Sequence, residues 1–341
     1  MEIKMIRIAM QFALIGLLAL SPAAAGVDRS QPGAGSVRTR MLRLLGLPEQ
    51  SSVRQPPRAE VLQRATDGEV AIEDLRFEAE RGVWVPGMTV KPKTATGRLP
   101  VIICLPGTGG TRQQLADARL QLSERPRTGW ARALSRQGFL TLSLDYLGSE
   151  SRGQDVYTDA VRAQLEGRSY MGLMVAEVIR AVDYLSTRPD VDAARIGITG
   201  FSLGGAMAWY AAAVDPRLRV IVPVCGGAGT YDDLLKSLPN TRYHSQYFYP
   251  AGFLKAFPGD QVEVFAAMAP RALLVVGRDQ DQGMPIGGLR KLEEKVKTAY
   301  AHRQAADRFA VHVTAGNHTY TDEMFAQVSE WFTRFLTPMK N

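Results

Sequence analysis

Cysteine is nearly missing from this chain: Cys104 and Cys225 are the two in 341 residues. A disulfide-stapled fold is excluded, and one pair cannot be assigned as a bridge from sequence. Both sit in apolar runs, 101–105 and 220–225, and read as small buried hydrophobes in strands. Neither C-x-x-C nor H-E-x-x-H occurs, so no metal site is indicated. Histidine is also scarce, with His244, His302, His312 and His318 the four available imidazoles. No internal repeat or long low-complexity tract is present. Basic residues outnumber acidic ones, 41 to 34, but they form no block or helical stripe. This argues against nucleic acid and for a cationic surface serving solubility, with an anionic glycan as the competing partner.

Beyond the N-terminus, no segment is long and apolar enough to cross a membrane. The N-terminus itself has the form of a bacterial-type export signal. Lys4 and Arg7 supply its positive end, residues 8–20 are almost wholly apolar, and Ala23-Ala24-Ala25 offers a small-residue cleavage site. Residues 1–25 are therefore expected to be removed, leaving a periplasmic or secreted protein with no stable membrane insertion. An uncleaved anchor is the alternative reading.

Residues 26–69 read as an N-terminal extension with a short amphipathic helix at 37–47, packed as an outlying element. From Val70 onward the pattern changes. Residues 70–80 and 83–91 read as strands joined by a tight turn at Arg81-Gly82, and 99–105 as a strand buried on both faces. Strands then alternate with helices to the end: strands at 139–146, 196–199, 220–225, 272–276 and 309–314, and helices at 128–137, 170–187, 203–214, 285–300 and 322–336. Such alternation predicts an α/β fold with a mostly parallel, eight-stranded sheet, antiparallel at its first edge and covered by helices on both faces. Residues 70–341 form one domain in this reading, with an insertion at about 226–261.

Gly200-Phe201-Ser202-Leu203-Gly204 fits the nucleophile-elbow pattern G-x-S-x-G, with a strand directly before it and an alanine-rich helix directly after. Glycine is needed at its two ends because the strained turn leaves no room for side chains. Ser202 as nucleophile requires a base. His318 follows the last strand, at the sheet edge from which Ser202 also emerges, and is preferred, with His244 the fallback. The acid that orients the imidazole is sought in Gly277-Arg278-Asp279-Gln280-Asp281-Gln282-Gly283 after the penultimate strand. Asp281 is preferred because it stands four residues before Pro285, which opens the next helix; Asp279 stays open. Ser, Asp, His is the chain order this fold uses. Backbone N–H groups of Leu203 and of Thr108, in Pro106-Gly107-Thr108-Gly109-Gly110, are the candidate oxyanion donors.

The segments Leu105-Pro-Gly-Thr-Gly-Gly110, Arg195-Ile-Gly-Ile-Thr-Gly-Phe-Ser-Leu-Gly-Gly205 and Ala269-Pro-Arg-Ala-Leu-Leu-Val-Val-Gly277 resemble the α/β-hydrolase superfamily. Within it they resemble the bacterial acetyl xylan esterase and dienelactone hydrolase-like branch, over about residue 86 to the C-terminus. The resemblance implies ester hydrolysis without a cofactor, on a small-molecule or glycan ester with a short acyl group such as acetyl. Two departures stand out: Pro106 replaces the histidine usual before the oxyanion glycine, and the acid loop is one residue longer than G-x-x-D. Tyr243, His244 and Tyr247 lie in an aromatic-rich stretch that reads either as a platform for a sugar ring or as an apolar anchor for the insertion. A peptidase resembling the prolyl oligopeptidase catalytic domain is the rival enzyme reading, although the chain leaves no room for a propeller domain. A non-catalytic binding module predicts a broken triad.

Overall fold

The computed structural model describes residues 36–49, 55–125, 127–152, 156–237, 249–250 and 252–337. The export-signal segment, Tyr243, His244 and Tyr247 lie outside the described residues. A nine-stranded sheet runs through the molecule: β1 Ala59–Asp67, β2 Val70–Glu80, β3 Val83–Pro92, β4 Leu99–Leu105, β5 Leu140–Leu144, β6 Val191–Phe201, β7 Leu218–Val224, β8 Ala272–Arg278 and β9 Phe309–Thr314. Their spatial order is β1-β2-β3-β5-β4-β6-β7-β8-β9. The pairs β1/β2, β2/β3 and β3/β5 are antiparallel, and every pair from β5/β4 onward is parallel.

The sheet thus has one strand more than the eight expected. β1 escapes sequence reading because it has no apolar face; it is exposed at most positions and reads as a polar segment. It is held by its ladder to β2 and by cross-strand ion pairs, Arg64 with Glu73 at 3.0 Å and Arg76 with Glu60 at 2.7 Å. Charged side chains on an edge strand also discourage pairing with other chains.

The helices are α1 Val37–Leu44, α2 Arg112–Ala116, α3 Trp130–Ser135, α4 Val156–Leu165, α5 Tyr170–Thr187, α6 Leu203–Val214, α7 Tyr231–Ser237, α8 Phe253–Ala256, α9 Gln261–Ala266, α10 Ile286–His302 and α11 Asp322–Leu336. Period-two alternation sends Val101, Ile103 and Leu105 of β4 to one face of the sheet, with α5 and α6, and Ile102 and Cys104 to the other, with α3 and α11. Helix α1 is not the outlying element its polar surroundings suggest. Met41, Leu42 and Leu45 are buried in the main core, and a side-chain carbon at Gly172 of α5 would lie 1.9 Å from the Leu45 carbonyl oxygen. Glycine at that point is what allows the N-terminal segment to dock. Cys104 and Cys225 are buried free thiols.

An ion cluster fastens β2 and β3 to the segment following α5. Asp190 accepts from Lys91 at 2.7 Å and from Arg188 at 2.8 Å, while Arg188 also reaches Glu73 at 2.7 Å. Burial acts to raise the Asp190 carboxyl, but hydrogen bonds from Arg188 and Lys91 outweigh it and hold the pKa at about 2. A folded-state pKa below the unfolded value of roughly 3.9 contributes stability that is present above that value and disappears as pH falls toward about 2. Asp190→Asn is therefore expected to cost about 1–2 kcal/mol at pH 7, discounted for solvent access. In urea melts the gap from wild type should close as pH approaches 2; an equal gap at pH 7 and at pH 2–2.5 would refute the linkage.

Candidate active site

From β4 the chain runs to β5 on one side and β6, by way of β5, on the other, so the crevice beyond the carboxyl ends of β4 and β6 is a topological switch point. Open α/β sheets bind ligands at such a crevice. A cleft of about 990 Å³ occupies it, bordered by the loops after β4, β6, β7, β8 and β9.

Ser202 stands between β6 and α6 at φ 57° and ψ −118°, a conformation that non-glycine residues seldom adopt. Side-chain carbons would lie 2.4 Å from the Gly204 carbonyl carbon if placed at Gly200, and 2.2 Å from the Leu105 oxygen if placed at Gly204. Both glycines are therefore required by close packing of the elbow against the end of β4. The strained backbone is held in place by the Ser202 N–H, which donates to the Val224 carbonyl at 2.9 Å.

His318 Nε2 lies 2.9 Å from Ser202 Oγ, and its Nδ1 lies 2.7 Å from Asp281 Oδ2. Asp281 is buried, and its other oxygen accepts the Gly283 N–H at 2.9 Å. Asp279 takes a different position. Its Oδ1 accepts the Gly316 N–H at 2.7 Å, tying the β8 loop to the β9 loop. His302 is exposed at the end of α10, and His312 in β9 faces Glu323, with 3.7 Å between Nε2 and Oε1.

Leu203 opens α6, so its N–H belongs to the first turn, whose donors have no partner within the helix. Residues 107–110 form a turn closed by Gly110 N–H donating to the Gly107 carbonyl at 2.9 Å, which leaves the Thr108 N–H out of the turn's own hydrogen bond. This turn packs on the elbow: a side-chain carbon at Gly107 would be 3.4 Å from Ser202 Cβ. Thr108 and Leu203 both border the cleft.

Sequence reading did not single out the residues that hold this turn. The buried Tyr146 hydroxyl donates to the Pro106 carbonyl at 2.6 Å, and burial pushes its pKa far above the ordinary phenol value. Asp145, wholly buried, accepts from the Arg112 backbone N–H and pairs with the Arg112 guanidinium, which also reaches Asp74 at 3.0 Å. The available signal was a charged residue and a tyrosine directly after an apolar strand, at the sheet edge where sites form.

Cys225, at φ 49°, lies close to Asp281 and His318. Its Sγ and ligand-type atoms of Asp281 and His318 fall within 4.8 Å of one another, a spacing that could hold a metal ion. The chemistry of the donors speaks for a hydrogen-bonded relay instead. Both ring nitrogens of His318 face Ser202 and Asp281, and burial, reinforced by the Asp281 charge, raises the Cys225 thiol so that it stays protonated. Metal binding requires the thiolate.

An elbow serine after a central parallel strand, with the relay above the carboxyl edge of the sheet, defines an α/β-hydrolase. A profile of the prolyl oligopeptidase family matches residues 127–338, and the chain belongs to that family. It is 29% identical over 287 residues to YtaP of Bacillus subtilis, which carries the name of a hydrolase, covering 83% of this chain and 93% of that protein. The acetyl esterase Axe7A of Xylanibacter ruminicola is 26% identical over 161 residues, 43% of this chain and 34% of the relative. Among solved structures, a glucuronoyl esterase from Solibacter usitatus superposes with a TM-score of 0.65 at 19% identity, covering 86% of this chain and 90% of that one, which shows a common fold.

Proposed function

We propose that this chain is a serine esterase that cleaves short-acyl carboxylic esters, acetyl esters of carbohydrates among them, through an acyl-enzyme. The observation that carries the reading is the continuous hydrogen-bond relay from Ser202 Oγ through His318 to the buried Asp281. His318 takes the Ser202 proton as Oγ attacks the ester carbonyl, and Asp281 holds the ring in the required tautomer and stabilises the imidazolium. The Thr108 and Leu203 N–H groups receive the oxyanion. His318 then protonates the departing alcohol, and a water molecule, deprotonated by the same imidazole, releases the acid. Ester rather than amide cleavage is favoured by the similarity to an acetyl esterase. The family name favours a second reading, peptide-bond hydrolysis by the same residues.

The test is hydrolysis of p-nitrophenyl acetate and butyrate beside aminoacyl p-nitroanilides, together with labelling by a fluorophosphonate probe. Turnover of acetate ahead of butyrate, with Ser202 labelled, is the expected result. Turnover confined to the anilides would transfer the assignment to the peptidase reading. Neither turnover nor labelling would end both.

A further inference from the structure

The cleft carries two arginines that no acid among the described residues balances. Arg125 and Arg127, on the segment between α2 and α3, both border it, and neither forms an ion pair among the described residues. Several other arginines of the inner structure are matched by acids, Arg112 with Asp74 and Asp145, Arg152 with Glu177, Arg188 with Asp190 and Glu73, whereas Arg271 is held by backbone carbonyls. Arg127 is half-buried, its Nε is shielded from solvent without a hydrogen-bond partner, and its guanidinium lies 4.5 Å from the centre of the Phe201 ring. Burial and the neighbouring Arg125 charge both lower its pKa, which expresses the cost of keeping a cation there unpaired. Asp281, the one carboxylate bordering the cleft among the described residues, is already engaged by His318 and Gly283. A partly desolvated cation with an unused donor, in a cleft whose other fixed charge is spent, is arranged for an anion that arrives from outside.

The position of Arg127 indicates which part of the substrate that anion belongs to. The Phe201 ring that Arg127 covers is also in contact with the His318 ring, at 5.0 Å between centroids. In acyl transfer the imidazole protonates the leaving alcohol, so the alcohol portion passes on the imidazole side. Resting on the acyl-transfer reading above, we infer that Arg127, assisted by the exposed Arg125, recognises a carboxylate on the alcohol portion of the ester. The preferred substrates are then acyl esters of carboxylated alcohols, such as O-acylated sugar acids. The planar fork of a guanidinium matches a carboxylate through paired N–H bonds. A single monoanion suffices to neutralise the half-buried cation.

The experiment compares 4-acetoxybenzoate with the uncharged 4-acetoxybenzamide, using the full chain and its Arg127→Gln and Arg127→Lys variants. Wild type should show a higher kcat/KM for the anionic ester, mainly through KM, with a preference that declines as salt rises. Arg127→Gln should lower the anionic-to-neutral ratio by roughly tenfold to a hundredfold, the range expected for a charge-assisted hydrogen bond. Arg127→Lys should retain part of it. Equal wild-type rates on the two esters, or an equal loss on both in Arg127→Gln, overturns this inference while leaving the esterase reading intact. No hydrolysis of either ester overturns the acyl-transfer reading, and this one with it.

Discussion

Ser202→Ala is expected to lower kcat/KM for p-nitrophenyl acetate by on the order of 10⁵-fold or more, to the level supported by substrate binding and the oxyanion site alone. The expectation follows from the relay: among the described residues Oγ is the one group hydrogen-bonded to His318 Nε2, so without it the base has nothing to deprotonate except water. Folding should survive. Alanine meets the same backbone constraint as serine at φ 57°, and the Ser202 N–H to Val224 bond does not involve the side chain. The chemical unfolding midpoint should therefore move by less than about 0.5 kcal/mol equivalent. Fluorophosphonate labelling must vanish with activity. An unchanged rate in a correctly folded variant would remove Ser202 from the mechanism.

The second large effect separates two aspartates that lie two residues apart. Asp281→Asn is expected to reduce kcat by about 10³–10⁴-fold with little change in KM, because an amide in place of the carboxylate favours the wrong imidazole tautomer and leaves the imidazolium without a counter-charge. Asp279→Asn should cost less than about tenfold. Its carboxylate accepts the Gly316 N–H and serves loop geometry; the amide oxygen of Asn can still accept there, so the change should appear as a destabilisation of no more than about 1 kcal/mol. Steady-state kinetics of the two variants, read beside their urea midpoints, decides between them. The reverse ranking would assign the acid to Asp279 and require the β8 loop to rearrange in solution.

The residues that read easily from sequence are those whose physics is local. Helices Tyr170–Thr187, Leu203–Val214 and Asp322–Leu336 follow from apolar spacing, and the Ser169 and Thr321 caps that the structure shows lie directly before two of them. The elbow is local as well, since strand, glycines, serine and small-residue helix are consecutive. β1 was illegible because its stabilisation comes from ladder bonds and ion pairs to β2 rather than from an apolar face. Helix α1 is short and flanked by polar residues, so its burial depends on a glycine more than a hundred residues away.

By itself the sequence determines an α/β chain with alternating buried strands, a strained serine turn and a short set of imidazole and carboxylate candidates. These rest on interactions between residues near one another along the chain. Tertiary structure alone decides that Asp281 rather than Asp279 meets His318, for both carboxylates are equally near in sequence and only the course of the β8 and β9 loops separates them. It alone also places Arg127 over Phe201, and Tyr146 beneath the Pro106 carbonyl. Such contacts join segments dozens of residues apart, and their direction is set by how the strands are ordered in the sheet, which no local pattern encodes.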